Sequence, residues 1–201
     1  MRRRRALLGL VVAIAALSVP RVASAHPAPF SYLDLIIRDQ VIEGMLVLHV
    51  LDVAHELGID PPDLLLEPAV AARERDRVIA LIGPRLTLRT DRALAVEWLA
   101  MEPAPDRHGV LLRFRIPVAR PGRLSVLTRM FPYDPIHQTF VNVYEDGDLR
   151  QQMIFNADSR EYVYYTGSTQ GARAVMRTFI PPASTTSSSG PTTSCFSSGC
   201  C

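Results

Sequence analysis

The sequence predicts a mainly β, sandwich-like antiparallel domain with a short helical insertion at about residues 51–82. Three observations carry this. Several runs alternate apolar and polar residues with period two, the mark of half-buried strands. Turn-forming residues, above all Asp146-Gly147, separate such runs. One stretch breaks the alternation with helix formers between recognisable start and stop signals.

Taken in order, "SYLDLIIRD" and "VIEGMLVLHV" are two apolar-rich strands on either side of Gln40. "LDVAHELG" follows as a short helix, with Asp52 as the expected N-cap and Gly58 as the expected C-cap. "PAVAARERDRVIALIG" opens on Pro68, is rich in helix formers and ends at Gly83-Pro84. "VLLRFRIPV" alternates around Arg113 and Arg115, and "RLSVLTRMF" repeats the theme. "TFVNVYEDGDLRQQMIF" reads as a hairpin turning at Asp146-Gly147. "REYVYY" supplies a last strand after the Asn156–Ser159 turn. The expected total is seven or eight strands.

The chain begins with a targeting signature. Arg2 to Arg5 precede an apolar run from Ala6 to Val19, and Ala23-Ser24-Ala25 has the small-x-small form of a signal-peptidase site. The run is shorter than the roughly 20 residues that span a bilayer. Cleavage after Ala25, between residues 1–25 and the rest, is therefore expected, giving an exported protein that starts at His26. The 22 basic residues, all of them Arg, face 20 acidic ones. Removing Arg2–Arg5 and Arg21 leaves 17 against 20, a net charge of −3. The basic balance of the whole chain thus belongs to targeting, and no nucleic-acid partner is expected. Residues 26–165 are long enough for a domain with its own core. The only three cysteines, Cys195, Cys200 and Cys201, lie beyond it, so packing must hold that domain together.

Chemical motifs are scarce. "HELGI" begins like a zinc-protease helix, but Ile59 stands where the second His is required. Asp52, His55 and Glu56 gather near one helix end. Tyr133, Asp134 and His137 share a Pro-rich loop that reads as structural first and functional second. His108 is expected in a solvated turn, and His49 as a satisfied core histidine. No enzyme signature emerges. His26 is the one candidate metal ligand. With the signal removed it would carry both a free α-amine and an imidazole, a pair that suits the tetragonal preference of Cu(II).

The last 21 residues, "PPASTTSSSGPTTSCFSSGCC", contain eleven Ser or Thr and no charge. Residues 181–201 read as a frame-slipped tail. Shifted back by one base, Ser, Cys and Phe codons yield apolar residues, Thr codons yield His, Asp, Asn or Tyr, and Gly codons yield Gly, Arg or Trp. An Arg-only basic composition indicates GC-rich DNA. With third bases chosen accordingly, the tail is compatible with A-G-I-H-H-I-L-I-G-P-D-H-I-L-F-L-V-G-L-L, the start of a polar-punctuated membrane helix.

That shifted string, with its H-x-x-x-G-x-D-H, resembles the first membrane helix of HupE/UreJ-like proteins, hydrogenase and urease accessory membrane proteins. The stretches "AHPAPFSYLDLIIRDQVIEGMLVLHVLDVAHELG" and "FPYDPIHQTFVNVYEDGDLRQQMIF" resemble the branch of that family with an exported N-terminal domain. The resemblance covers residues 1 to about 180. It implies a role in nickel uptake or metalloenzyme maturation, attachment to the inner membrane through helices this chain lacks, and residues 166–180 as linker and lead-in to the first span. The membrane helix's histidines and aspartate are absent from the chain as written. Two alternatives stand beside it: a secreted copper-binding β-sandwich using His26, and a periplasmic domain that binds a protein partner.

Overall fold

A computed structural model describes residues 30–179. The signal segment with Ala23 and Ala25, the metal candidate His26, and the tail with its cysteines all lie outside the described residues. The fold is mainly β. Strands β1 (Phe30–Ile37) and β2 (Val41–His49) form the expected first hairpin. Helix α1 (Val50–Leu57) follows without a break, then a 3-10 turn at Pro62–Leu66 and helix α2 (Pro68–Ile82). The remaining strands are β3 (Leu86–Arg89), β4 (Glu97–Ala104), β5 (Gly109–Pro117), β6 (Arg123–Thr128), β7 (Gln138–Glu145), β8 (Asp148–Phe155) and β9 (Glu161–Tyr165). Helix α3 (Thr169–Phe179) ends the described chain.

The strands make two sheets. One has six strands in the order β4-β5-β2-β1-β7-β8, the other three in the order β3-β6-β9. Pairing is antiparallel throughout with one exception: β1 and β7 run parallel, Phe30 beside Gln138 through to Ile37 beside Glu145. Nine strands exceed the expected seven or eight. The two extra ones, β3 and β4, carry weak patterns. The first is only four residues long, and the pairing of β4 with β5 slips at a bulge between Trp98 and Met101.

Period two explains the core. Leu33, Leu35 and Ile37 of β1, Ile42, Leu46 and Leu48 of β2, and Leu112, Phe114 and Ile116 of β5 are all buried on one face. The second sheet adds Leu88, Leu124 and Val126, and the helical insertion adds Val53, Ala54, Val78 and Ile82 to the same cluster. Gly44 is required where it stands: a Cβ there would lie 2.0 Å from Cζ of Phe114. At the β7–β8 turn, Asp146 and Gly147 take φ of 54° and 87°, the two left-handed positions that such a tight hairpin needs.

The insertion starts where expected but is capped differently. The N-cap of α1 is His49, extended at φ −68° and ψ 137°, whose Nδ1 accepts a hydrogen bond from the Leu51 amide at 3.3 Å. Asp52 sits one turn inside. The left-handed C-cap at Gly58, φ 65°, is as the sequence predicts. Pro68 begins α2 and Gly83 ends it.

Candidate functional site

Register fixes two ends of the six-stranded sheet. At the first end lie the starts of β1, β5 and β7 and the exit of β2 into α1. All four described histidines are here: His49, His55, His108 and His137. At the second end lie the β7–β8 turn, the β1–β2 turn and the root of α3.

The first end is organised around Asp52, which is fully buried. A buried carboxylate needs partners, because desolvation penalises its charge. The Tyr133 hydroxyl donates to its Oδ1 at 2.5 Å. Its Oδ2 stands 3.4 Å from Nδ1 of His137. The other ring nitrogen of His137, Nε2, lies 3.1 Å from Oγ of Ser31. One polar chain thus runs Ser31–His137–Asp52–Tyr133 and ties β1, the 131–137 loop and α1 together. The loop is stiffened locally as well. Backbone bonds join Asp134 to Phe131 and His137 to Asp134, and the Ile136 amide donates to Oδ1 of Asp134 at 3.0 Å. The Tyr133 ring stacks on His55 with centroids 4.0 Å apart, while Arg85 joins Glu56 at 2.8 Å to the carbonyl of Met130 at 2.7 Å. Burial and then the hydrogen bond to Asp52 push the Tyr133 hydroxyl well above its ordinary pKa.

Ser, His and Asp in this sequence are the elements of an acyl-transfer triad. Here they are closed in. Ser31 is 0% exposed, His137 is buried, and the cavity beside His137 amounts to about 10 Å³, at the margin of a single water. No substrate carbonyl can reach Ser31 Oγ in this arrangement. Beside the chain, His49 and His108 face each other with ring centroids 5.4 Å apart, and Nε2 of His108 lies 3.1 Å from Asp63. Burial, reinforced by His108 and His137 against the pull of Asp52, holds His49 below the usual histidine range. Among the described residues no group of three His, Cys, Asp or Glu side chains is placed to hold a metal ion.

The second end has its own buried carboxylate, Glu145, 3% exposed. Its Oε2 accepts from the Gly167 amide at 3.0 Å. Burial, then the charge of Glu145, push the Tyr164 hydroxyl up to about 12. Thr166 Oγ1 donates to the carbonyl of Pro121 at 2.8 Å, and Ser168 Oγ accepts from the Gly171 amide at 3.1 Å, capping α3. Contact is closest at the glycines. A Cβ on Gly171 would stand 1.8 Å from the Thr166 carbonyl oxygen, and one on Gly122 would stand 2.5 Å from that of Gln170. Thr169–Phe179, expected as polar linker and lead-in, is therefore a helix whose first turn is seated on the domain.

The sequence brought Asp52, His55 and Glu56 into view as one group and Tyr133, Asp134 and His137 as another, and the structure joins the two through Asp52. His108 is half-exposed, as expected of a turn residue. His49 is half-buried and works as a cap. Ser31 and Glu145 were missed. Their signal was a polar residue at an inward position of a period-two strand: Ser31 lies in register with Leu33, Leu35 and Ile37, and Glu145 with Val141 and Val143. No protein-family model matches the chain, and no match was found among curated proteins.

Proposed function

We propose that the chain is the exported, non-enzymatic domain of a HupE/UreJ-like membrane protein. In the intact protein the following membrane helices hold it at the outer surface of the inner membrane, where it serves nickel uptake or metalloenzyme maturation. The observation that carries this reading is the root of α3. Only Thr166–Ser168 separate β9 from the helix: Thr166 bonds to Pro121 and Gly167 to Glu145 in the domain, while Ser168 caps the helix. A segment continuing from α3 would therefore hold the domain in one orientation rather than on a loose tether. The reading as non-enzymatic is supported by the closed Ser31–His137–Asp52 chain, where catalytic residue types line up among the described residues. Among the described residues no helix is long and apolar enough to cross a membrane.

Two measurements test it. Reading the genomic DNA in the slipped frame from about Pro181 should reveal an open frame with several further apolar segments; early stops there would remove the family argument. Reporter fusions after residue 179 should be active on the outer side of the inner membrane, and a cytoplasmic reporter signal would overturn export.

A copper-binding reading has one supporting observation. Tyr32 pairs with Val47, so the register continues to place Phe30 opposite His49. His26 precedes Phe30 by four residues in sequence, at most about 14 Å of extended chain, and this reading has it reach toward the His49–His108 pair. Protein beginning at His26 should then bind Cu(II) tightly in calorimetry, and one extra N-terminal residue should abolish binding. Copper binding indifferent to that extension would reject the His26 site.

A further inference from the structure

Helix α3 has a second face that the domain does not use. Its seated side is Gly171 and Ala174, three residues apart. Ala172, Val175 and Met176 fall on the adjoining arc, and all three are exposed, Val175 at 37% and Met176 at 51%. An apolar arc turned outward on a helix that is otherwise firmly docked is an unpartnered surface. The polar side beside it is cationic. Arg173 lies on α3 and Arg123 at the start of β6, and both line a cleft of about 540 Å³ between the helix and the 118–123 loop. Arg120, in the same cleft, is engaged by Asp39 and Asp146, at 3.2 and 2.8 Å. Arg123 and Arg173 make no ion pair with any described residue, although Asp91 shares their cleft.

We infer that α3 is a bilayer-lying helix: it rests on an anionic lipid surface, with Val175 and Met176 among the acyl chains and Arg173 and Arg123 at the phosphate level. Charge complementarity chooses lipid as the occupant, because exposed apolar residues stand beside Arg173 and Arg123, and only the charge of Arg123 is partly met within the domain, by Glu161. The inference rests on the membrane-held reading above and adds to it an orientation: the Glu145 end of the sheet faces the membrane and the Asp52 end, with Tyr133 and Ile136, faces away.

The test uses local probes in the full chain, so that lipid binding by any other segment is separated from binding by α3. Met176→Trp and, at the far end, Ile136→Trp are compared on vesicles of phosphatidylglycerol or phosphatidylcholine carrying brominated acyl chains, with the emission of the native Trp98 subtracted. Quenching of the probe at 176 but not at 136, on phosphatidylglycerol far more than on phosphatidylcholine, is the expected result. Adding Arg123→Glu and Arg173→Glu should then weaken that quenching on the order of thirtyfold in lipid titre, since each arginine near an anionic surface contributes several-fold to partitioning. An unquenched probe at 176, equal quenching at both positions, or indifference to lipid charge would each overturn the inference. Outer-face reporter activity together with an unquenched 176 probe would reject the lipid-lying helix alone and leave the exported-domain reading standing.

Discussion

The two ends of the six-stranded sheet solve one problem in opposite ways. Each buries a carboxylate beside a tyrosine whose ionisation is suppressed, Asp52 with Tyr133 at one end and Glu145 with Tyr164 at the other. At the Asp52 end the partners are side chains from three separated segments, and the result is a loop pinned from within. At the Glu145 end a backbone amide, that of Gly167, donates to the carboxylate beside Tyr164, and the result is a seated helix root. Side-chain chains of this kind fix geometry between distant segments, whereas backbone bonds with glycine contacts fix one local junction.

The difference can be broken most forcefully at Asp52. Asp52→Ala leaves the Tyr133 hydroxyl without its acceptor and removes the carboxylate that stands 3.4 Å from His137 Nδ1, and should destabilise the domain by about 3 kcal/mol. The urea midpoint measures it. A loss under about 1 kcal/mol would mean the chain is decorative. Gly171→Ala strikes the other end, where the new Cβ meets the Thr166 carbonyl. It should cost about 1–3 kcal/mol, confined to the junction. Amide exchange should accelerate in α3 while β1, β2 and β7 keep their protection; acceleration throughout the sheet would deny that the two ends are separable.

Alkaline titration sharpens the same contrast. Both tyrosines have folded pKa values above the ordinary tyrosine value, so their favourable contribution is fully present below about pH 10 and is lost as the pH rises through the folded values. Stability should therefore fall above pH 10, by up to about 1.4 kcal/mol per pH unit from the buried Tyr164 and by less from Tyr133, which is 43% exposed and screened by solvent. Tyr133→Phe and Tyr164→Phe should each flatten part of that slope. A slope untouched by either would place the titrating group elsewhere. The smallest effect is expected at His49→Ala, which removes one side-chain cap from α1 at a cost of about 1 kcal/mol or less. Far-ultraviolet circular dichroism and the urea midpoint should show a small shift without change of fold.

Individual strands were legible because alternation is written into each segment. "TFVNVYE" reads as a strand whatever lies beside it. The β3 and β4 strands were illegible for the converse reason. Four residues cannot display a period, and the bulge at Trp98–Met101 breaks the alternation that would have marked β4. Asp52 was legible as a helix-start residue but not as a buried acid, because its partner Tyr133 is 81 residues away. The same holds for Ser31, 106 residues from His137.

By itself, then, the sequence determined the mainly β class, most strand positions, the Asp146-Gly147 turn, the Gly58 cap and the helical insertion, all of them properties of short windows governed by backbone preference and side-chain alternation. Only the tertiary structure decided that β1 lies parallel to β7, that the four described histidines meet at one end, that Ser31, His137 and Asp52 line up and are closed to solvent, and that α3 is seated by Gly171. Those facts depend on which distant segments pack together. That choice is made by burying the whole apolar surface at once, and no single window of the chain contains it.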